Sequence, residues 1–315
     1  MKQYKPISVR KLKTYPLKGR SSKVDSGLMA SPHETGASLA AFAESLPGVL
    51  AASALREVVH AISRAYLLGR PVILGMGAHA IKVGLSPIII DLMERGVITA
   101  IACNGACIVH DFELATAGHT SEDVASALAD GSFGMARETG TLLNGAITAG
   151  VADGLGIGAS VGRMLASRQA AAPGPSLFAA AWRLQKPATV HVAVGTDIIH
   201  MHPSADGAAI GEGSLRDFRL LTGVVADLEG GVYINLGSAV LLPEVFLKAV
   251  SVARNLGNPV AKITTVSMDF QQSYRVRENV LTRPTMLGGR SFALTGHHEI
   301  MFPLLAALVI EELDQ

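Results

Sequence analysis

Cysteine is almost missing from this 315-residue chain: there are only two, Cys103 and Cys107. Four positions apart in one short segment, they give no disulfide framework, so a reducing, cytoplasmic setting is expected. Aromatic residues make up 5% and charged residues 17%. So little charge excludes a solvated, disordered chain. The formal net charge of +1 leaves no global attraction to nucleic acid or to an anionic membrane. Long apolar runs are missing too. None reaches the roughly 18 residues of a spanning helix, and Phe302–Ile310 falls far short. The first twenty residues are basic without an apolar run, which does not read as a secretory signal. The expected partner is a small molecule, not nucleic acid or membrane.

What is abundant is apolar and small. Hydrophobic residues make up 49%, and there are 33 glycines. Such a chain can bury a large core, and its small residues suit tight strand-to-helix turns. Residues 1–23 carry eight Lys/Arg and no acid. They form a basic arm, 1–36, read chiefly as a strap over the domain or a neighbouring subunit. The remainder, 37–315, reads as one domain. Ala37–Leu68 has helical periodicity. Pro71–Leu74 reads as a buried strand and Gly75–His79 as a turn. Ser86-Pro87 reads as an N-cap followed by proline at the first position of a helix to Glu94. Val97–Cys103 is the next strand, and Ser121–Ser167 is helix-rich. Arg168–Ser176 reads as a loop. Then come strand Ala188–Val194, helix Leu215–Leu228, strand Gly231–Asn235 and helix Pro243–Asn255. Strands Ala261–Val266 and Ser291–Leu294 follow, with a last helix from Pro303. Strands alternating with helices across short glycine loops predict an α/β fold, a Rossmann-like parallel sheet with helices on both faces.

Candidate chemistry gathers after the strands, where open parallel sheets bind ligands. Gly75, Gly77, Ala78 and His79 lie in a G-x-G-x-x-A pattern, the second glycine letting backbone approach a pyrophosphate. Asn104, Gly105 and Ala106 follow the second strand, with His110 a candidate acid/base; the alternative is that His110 and Asp111 cap the next turn. The loop Gly195–Pro203 carries Asp197, His200 and His202. These residue types suit substrate or phosphate contacts, a structural loop, or less readily a metal. Gly211–Asp217 sets two glycines and a serine before a helix, an arrangement that favours anions. Gly237, Ser238 and Ala239 form a small-residue crossover. Gly296-His-His-Glu299 ends the last strand.

In this order the segments resemble deoxyhypusine synthase from about Val72 onward. The Gly77–Gly96 stretch is similar to that family's loop and helix after its first nucleotide strand, and Ala102–Asp111 to its NAD-contacting loop. Gly213-Ser-Leu-Arg-Asp217 is similar to its glycine-serine-leucine-glycine-aspartate. Leu236-Gly-Ser-Ala239, with a helix ending Ala253-Arg-Asn255, resembles its triple-glycine turn. Asp269-Phe270 resembles its glutamate-phenylalanine, and Phe302-Pro-Leu-Leu305 its final helix opening. The resemblance implies NAD at Gly75, Gly77, Ala78, His79, Asn104–Ala106 and Gly237–Ala239. It also implies amine recognition by Asp217 and a homotetramer with sites between subunits.

The departures bear on function. The family forms an imine on a lysine near its C-terminus, and here the last lysine is Lys262. In place of that loop stand Gln271–Leu287, with Arg275, Arg277 and Arg283. Arginine cannot act as the amine nucleophile, although it can clamp an acidic substrate. Glu244 and His297 replace family residues. The expectation is an NAD-binding enzyme acting on a small amine- or acid-bearing substrate without an imine. His110, His200, Asp217, Glu244 and His297 would be catalytic, and Asp197, His202, Asp217, Arg275 and Arg277 would hold substrate. Two alternatives stand beside it. One is a polyamine-dependent transferase using another nucleophile. The other is a metal-dependent or non-catalytic binding protein with Asp197, His200 and His202 as ligands.

Overall fold

Apolar runs bounded by glycine turns put five strands of this chain into a buried parallel sheet, and a sixth, more exposed strand closes one edge. The structure, a computed structural model, describes residues 2–168 and 174–314. The predicted loop Arg168–Ser176 therefore lies largely outside the described residues. In chain order the elements are α1 (Leu39–Ser45), α2 (Leu50–Leu67), β1 (Val72–Met76), α3 (His79–Lys82), α4 (Ser86–Glu94), β2 (Ala100–Asn104), α5 (Gly105–Ala117), α6 (Val124–Leu128), α7 (Arg137–Ala152) and α8 (Ile157–Arg168). They continue as α9 (Leu177–Arg183), β3 (Ala188–His191), a 3-10 turn Ile198–Met201, α10 (Gly207–Ala226), β4 (Val232–Leu236), α11 (Leu241–Asn255), β5 (Thr264–Asp269), α12 (Tyr274–Val276), the π-helical turn Arg277–Thr282, β6 (Arg290–Thr295) and α13 (His298–Leu313).

The sheet order is β3-β2-β1-β4-β5-β6, with every neighbouring pair parallel. β1, β3, β4 and β5 are buried at every position and β2 at all but its last. Burial on both faces is why they read as continuous apolar runs without alternation. The edge strand β6 buries only Leu294 fully. The chain moves outward from β1 to β3, then returns to the other side of β1 at β4. The strand order reverses between β1 and β4, and the crevice above such a reversal is where open α/β sheets take ligands.

Several boundaries differ from expectation for local reasons. The predicted helix Ala37–Leu68 is two helices, because Pro47 and Gly48 interrupt it. Packing begins before residue 37: Gly48 N–H donates to the Leu28 carbonyl at 2.9 Å, and Ser31 N–H to Ser45 O at 2.9 Å. Upstream of this the arm is exposed, with Tyr4, Ile7 and Leu12 in solvent, so it does not strap its own domain. Ser86 is the first helical residue and not the cap, and its hydroxyl has no partner. α10 starts at Gly207, where Asp206 accepts from the N–H groups of Ala208 and Ala209. Gly211 and Gly213 thus lie inside a helix. A Cβ on Gly213 would sit 2.9 Å from side-chain carbons of Ile157 and Val151, so that glycine serves helix packing and offers no anion-binding helix start.

Candidate functional site at the carboxyl ends of the strands

Each strand ends on a short turn at the same pole, and most predicted site residues lie there. They play different parts from those their spacing suggested. Gly75 is inside β1 and not in the turn; a Cβ there would overlap the hydroxyl of Tyr233 on β4. A Cβ on Gly77 would lie 2.8 Å from the Gly237 carbonyl, and Gly77 N–H already donates to Leu236 O at 3.0 Å. Gly237 has φ +67°, donates to Met268 O at 3.0 Å, and has the imidazole of His298 where its Cβ would be. These glycines admit the protein's own atoms and their N–H groups are taken. They do not fit the pyrophosphate cradle expected of them. Ser238 accepts from Leu242 N–H at 3.2 Å and so caps α11, while the Ala239 carbonyl accepts from the Ser273 hydroxyl at 3.0 Å.

α5 fits a phosphate better. It starts at Gly105, directly after β2, with Asn104 in extended backbone at its cap and no side-chain cap bond. The Asn104 side-chain oxygen takes the Cys107 thiol at 3.1 Å instead. The Asn104–His191 pairing carries the Gly105 N–H into the sheet, which leaves the rest of the first turn, from Ala106, as the part that can attract an anion. His110 and Asp111 lie in the middle of this helix and cap no following turn. His110 is half-buried, with Nδ1 2.7 Å from the Thr120 hydroxyl, which in turn donates to Glu113 at 2.5 Å. Burial lowers its pKa, with nearby Lys82 acting in the same direction.

Beside Gly105 stands an acid–base pair. Asp197 and His200 cap each other across the 3-10 turn. The Asp197 carboxylate faces the His200 backbone N–H, which donates to the Asp197 carbonyl at 3.0 Å, and His200 Nδ1 accepts from Asp197 N–H at 3.3 Å and Gly195 N–H at 3.1 Å. An accepting Nδ1 places the ring proton on Nε2. That leaves one free atom on each side chain, Asp197 Oδ2 and His200 Nε2, 3.9 Å apart, both buried and both without a hydrogen-bond partner. Desolvation raises the Asp197 pKa, partly offset by His200. The Asp197 carboxylate occupies the place of a Cβ on Gly105, which is why that helix must start with glycine.

The other predicted residues do not join this pair. His202 packs on Gly140 and its Nε2 lies 2.9 Å from Gly134 O. Asp197, His200 and His202 thus fail to converge, and among the described residues no group of three His, Cys, Asp or Glu side chains is set to hold a metal. Asp217 is 1% exposed and locked by the N–H groups of Gly158 at 2.9 Å and Val190 at 2.8 Å. It caps α8 from a distance and is not free to receive a substrate amine. Burial raises it to about 7 against its backbone hydrogen bonds. Glu244 is paired with Lys248, with Arg275 at 3.3 Å and with Asn279 at 2.9 Å. Arg277 lies 3.2 Å from Glu278 and over the Tyr274 ring. The predicted catalytic Glu244 and substrate-binding Arg275 therefore neutralise each other.

His297 is exposed and stacks on Phe270 with ring centroids 6.2 Å apart. Its neighbour His298, missed from the sequence, is the buried one. His298 Nε2 lies 3.2 Å from Met268 O and 3.8 Å from Asp269, its Nδ1 has no partner, and its ring meets His79 edge-on. Burial is the largest influence on it and lowers its pKa. A tandem pair cannot reveal which member faces inward; only the phase of α13 does. His191, at the end of β3, was also missed: buried beside the Thr189 hydroxyl at 2.9 Å, it is pushed down to about 4 by desolvation.

No protein-family model and no curated protein matches this sequence. Solved structures do match. A putative deoxyhypusine synthase from Entamoeba histolytica superposes with a TM-score of 0.55 at 13% identity, over 90% of this chain and 96% of that one. A conserved putative LOR/SDH protein from Methanococcus maripaludis S2 gives 0.52 at 18% identity, over 90% of this chain and 72% of that one. The ternary complex of AgrE with ornithine and NAD+ gives 0.53 at 13% identity, over 82% of this chain. The chain spans about a third of AgrE and of the similar cyanobacterial arginine dihydrolase ArgZ, 33% in each case. At such identities the likeness is one of fold. The chain has an α/β fold of the kind seen in these proteins.

Proposed function

We propose that this chain is an NAD-binding enzyme that acts on a small hydroxyl- or amine-bearing substrate at the carboxyl pole of its sheet, without a lysine imine. The observation that carries the reading is the Asp197–His200 pair, whose free acceptor and free donor lie 3.9 Å apart beside the first turn of α5. A hydroxyl or protonated amine seated between them donates to Asp197 Oδ2, and a hydroxyl oxygen also accepts from His200 Nε2–H. Reciprocal capping fixes both side chains before substrate arrives, as a general base requires. The raised Asp197 pKa makes its carboxylate a stronger base. NAD would supply a hydride acceptor. The protein's part is to receive a cofactor phosphate at the Ala106 side of the α5 start, orient the substrate, and take its proton at Asp197. AgrE, of similar fold, was solved with NAD+, which supports the cofactor.

The test is NAD binding by calorimetry and thermal unfolding, on the wild type and on Ala106→Glu. The added carboxylate at the start of α5 should repel a phosphate. Binding is expected in the wild type and lost in the variant. A wild type that shows no NAD binding refutes the reading. With NAD bound, a panel of amines and alcohols should yield NADH, and Asp197→Asn should stop it while leaving NAD affinity in place. Release of 1,3-diaminopropane from spermidine would favour a polyamine transferase instead. Exposed Val194, Val240 and Phe270 sit just past three strand ends. This apolar rim supports self-association, with a homotetramer as the expected state; a monomer by light scattering would refute it.

A further inference from the structure

We infer that the opposite, amino-terminal pole of the sheet carries a second binding site, one for a small polyanion bearing phosphate or several carboxylates. Four cations from separate parts of the chain converge there on a hollow of about 420 Å³: Arg64 from the end of α2, Arg70 before β1, Lys262 before β5 and Arg290 opening β6. They are four of its twelve lining residues, in a chain where Lys and Arg together number 27 of 315. The enrichment is therefore local. Neutralising helix ends does not account for it. Arg64 sits in the last turn of α2, where a cation suits the helix dipole, but Lys262 and Arg290 lead into strands.

The charge in the hollow is poorly balanced. Its one lining acid, Glu229, is committed to backbone, accepting from Ala261 N–H at 2.6 Å and Lys262 N–H at 3.0 Å. Arg70 and Arg290 have partners outside the lining, Asp227 at 3.4 Å and Glu57 at 2.7 Å. Both pairs are solvent-exposed, and such pairs exchange readily for a better anion. Arg64 and Lys262 have no ion-pair partner among the described residues. Thr264, at the start of β5, also lines the hollow. Arginine guanidinium groups with a lysine and a hydroxyl match the oxygens of phosphate or clustered carboxylates. A cavity of this volume suits a compact metabolite and not a membrane surface.

The experiment is calorimetry and thermal unfolding of the full chain with pyrophosphate and with citrate, each against sodium chloride at equal ionic strength. The variant is Arg64→Gln with Lys262→Gln, two exposed side chains whose replacement leaves the core intact. At least one probe is expected to bind the wild type, and the double variant to lose about tenfold or more in affinity, a change of about 1.4 kcal/mol. Which probe binds decides between phosphate and carboxylate. Lys11→Gln with Lys13→Gln removes two charges from the exposed arm, and Ala106→Glu alters the proposed NAD site; both should bind the probe as the wild type does. Failure of both probes to bind overturns the inference. So does undiminished affinity in the double variant, or loss of affinity only in the arm variant or in Ala106→Glu, and neither result bears on NAD binding to the wild type.

Discussion

Replacing Asp217 with asparagine should make the protein more stable at pH 8, although Asp217 is the buried cap that joins α8 to β3. Its carboxyl accepts from Gly158 and Val190 at 2.9 and 2.8 Å, yet burial still raises it from 3.8 to about 7. Desolvation of the charged form therefore outweighs the hydrogen bonds that favour it. A carboxyl with a raised folded-state pKa binds its proton more tightly when folded. Its contribution is fully present below pH 3.8 and fades as the pH rises to about 7. That interval amounts to about 4 kcal/mol, a large share of a typical stability of about 5–15 kcal/mol. Asparagine mimics the neutral carboxyl in shape and keeps one oxygen for the two N–H groups. Asp217→Asn should match the wild type only below the unfolded carboxyl's 3.8, exceed it by roughly 1–2 kcal/mol at pH 5, and by up to about 4 kcal/mol at pH 8. Urea unfolding at pH 5, 6, 7 and 8 would measure the difference. If the wild type gains on the variant as the pH rises, the N–H cradle and the start of α8 hold the anion better than desolvation penalises it, and the reasoning fails.

Asp111 holds α9 in the same manner, accepting from the Ser176 hydroxyl at 2.6 Å and Leu177 N–H at 2.7 Å; Asp111→Ala should cost about 2–4 kcal/mol in chemical unfolding. Gly237→Ala combines a φ of +67° with a Cβ placed against His298, so a loss of at least about 1–2 kcal/mol is expected, read as a fall in thermal midpoint. Glu244→Ala breaks exposed pairs with Lys248 and Arg275 and the hydrogen bond from buried Asn279 and should cost about 1–2 kcal/mol, most of it from the Asn279 bond. The His298 ring should stay mostly neutral at pH 6.5, with its proton on Nε2 beside Met268 O; nitrogen NMR showing a protonated ring at that pH would contradict the structure.

The chain's own pattern determined the parallel sheet, because apolar runs such as Val72–Leu74 and Val232–Ile234 betray strands buried on both faces. It also marked Ser86–Glu94 as a helix and located the pole where polar residues gather. Those features are written in consecutive residues. What it could not determine was which distant group each residue meets. Gly77, Gly105 and Gly237 read as room for a ligand, and the fold gives that room to Gly237, Asp197 and His298. Asp217 read as a substrate contact, and its partners Gly158 and Val190 lie 59 and 27 positions away. His297 and His298 are identical in sequence terms, and the turn of α13 alone buries the second. Periodicity reports whether a residue is covered; only tertiary packing names what covers it.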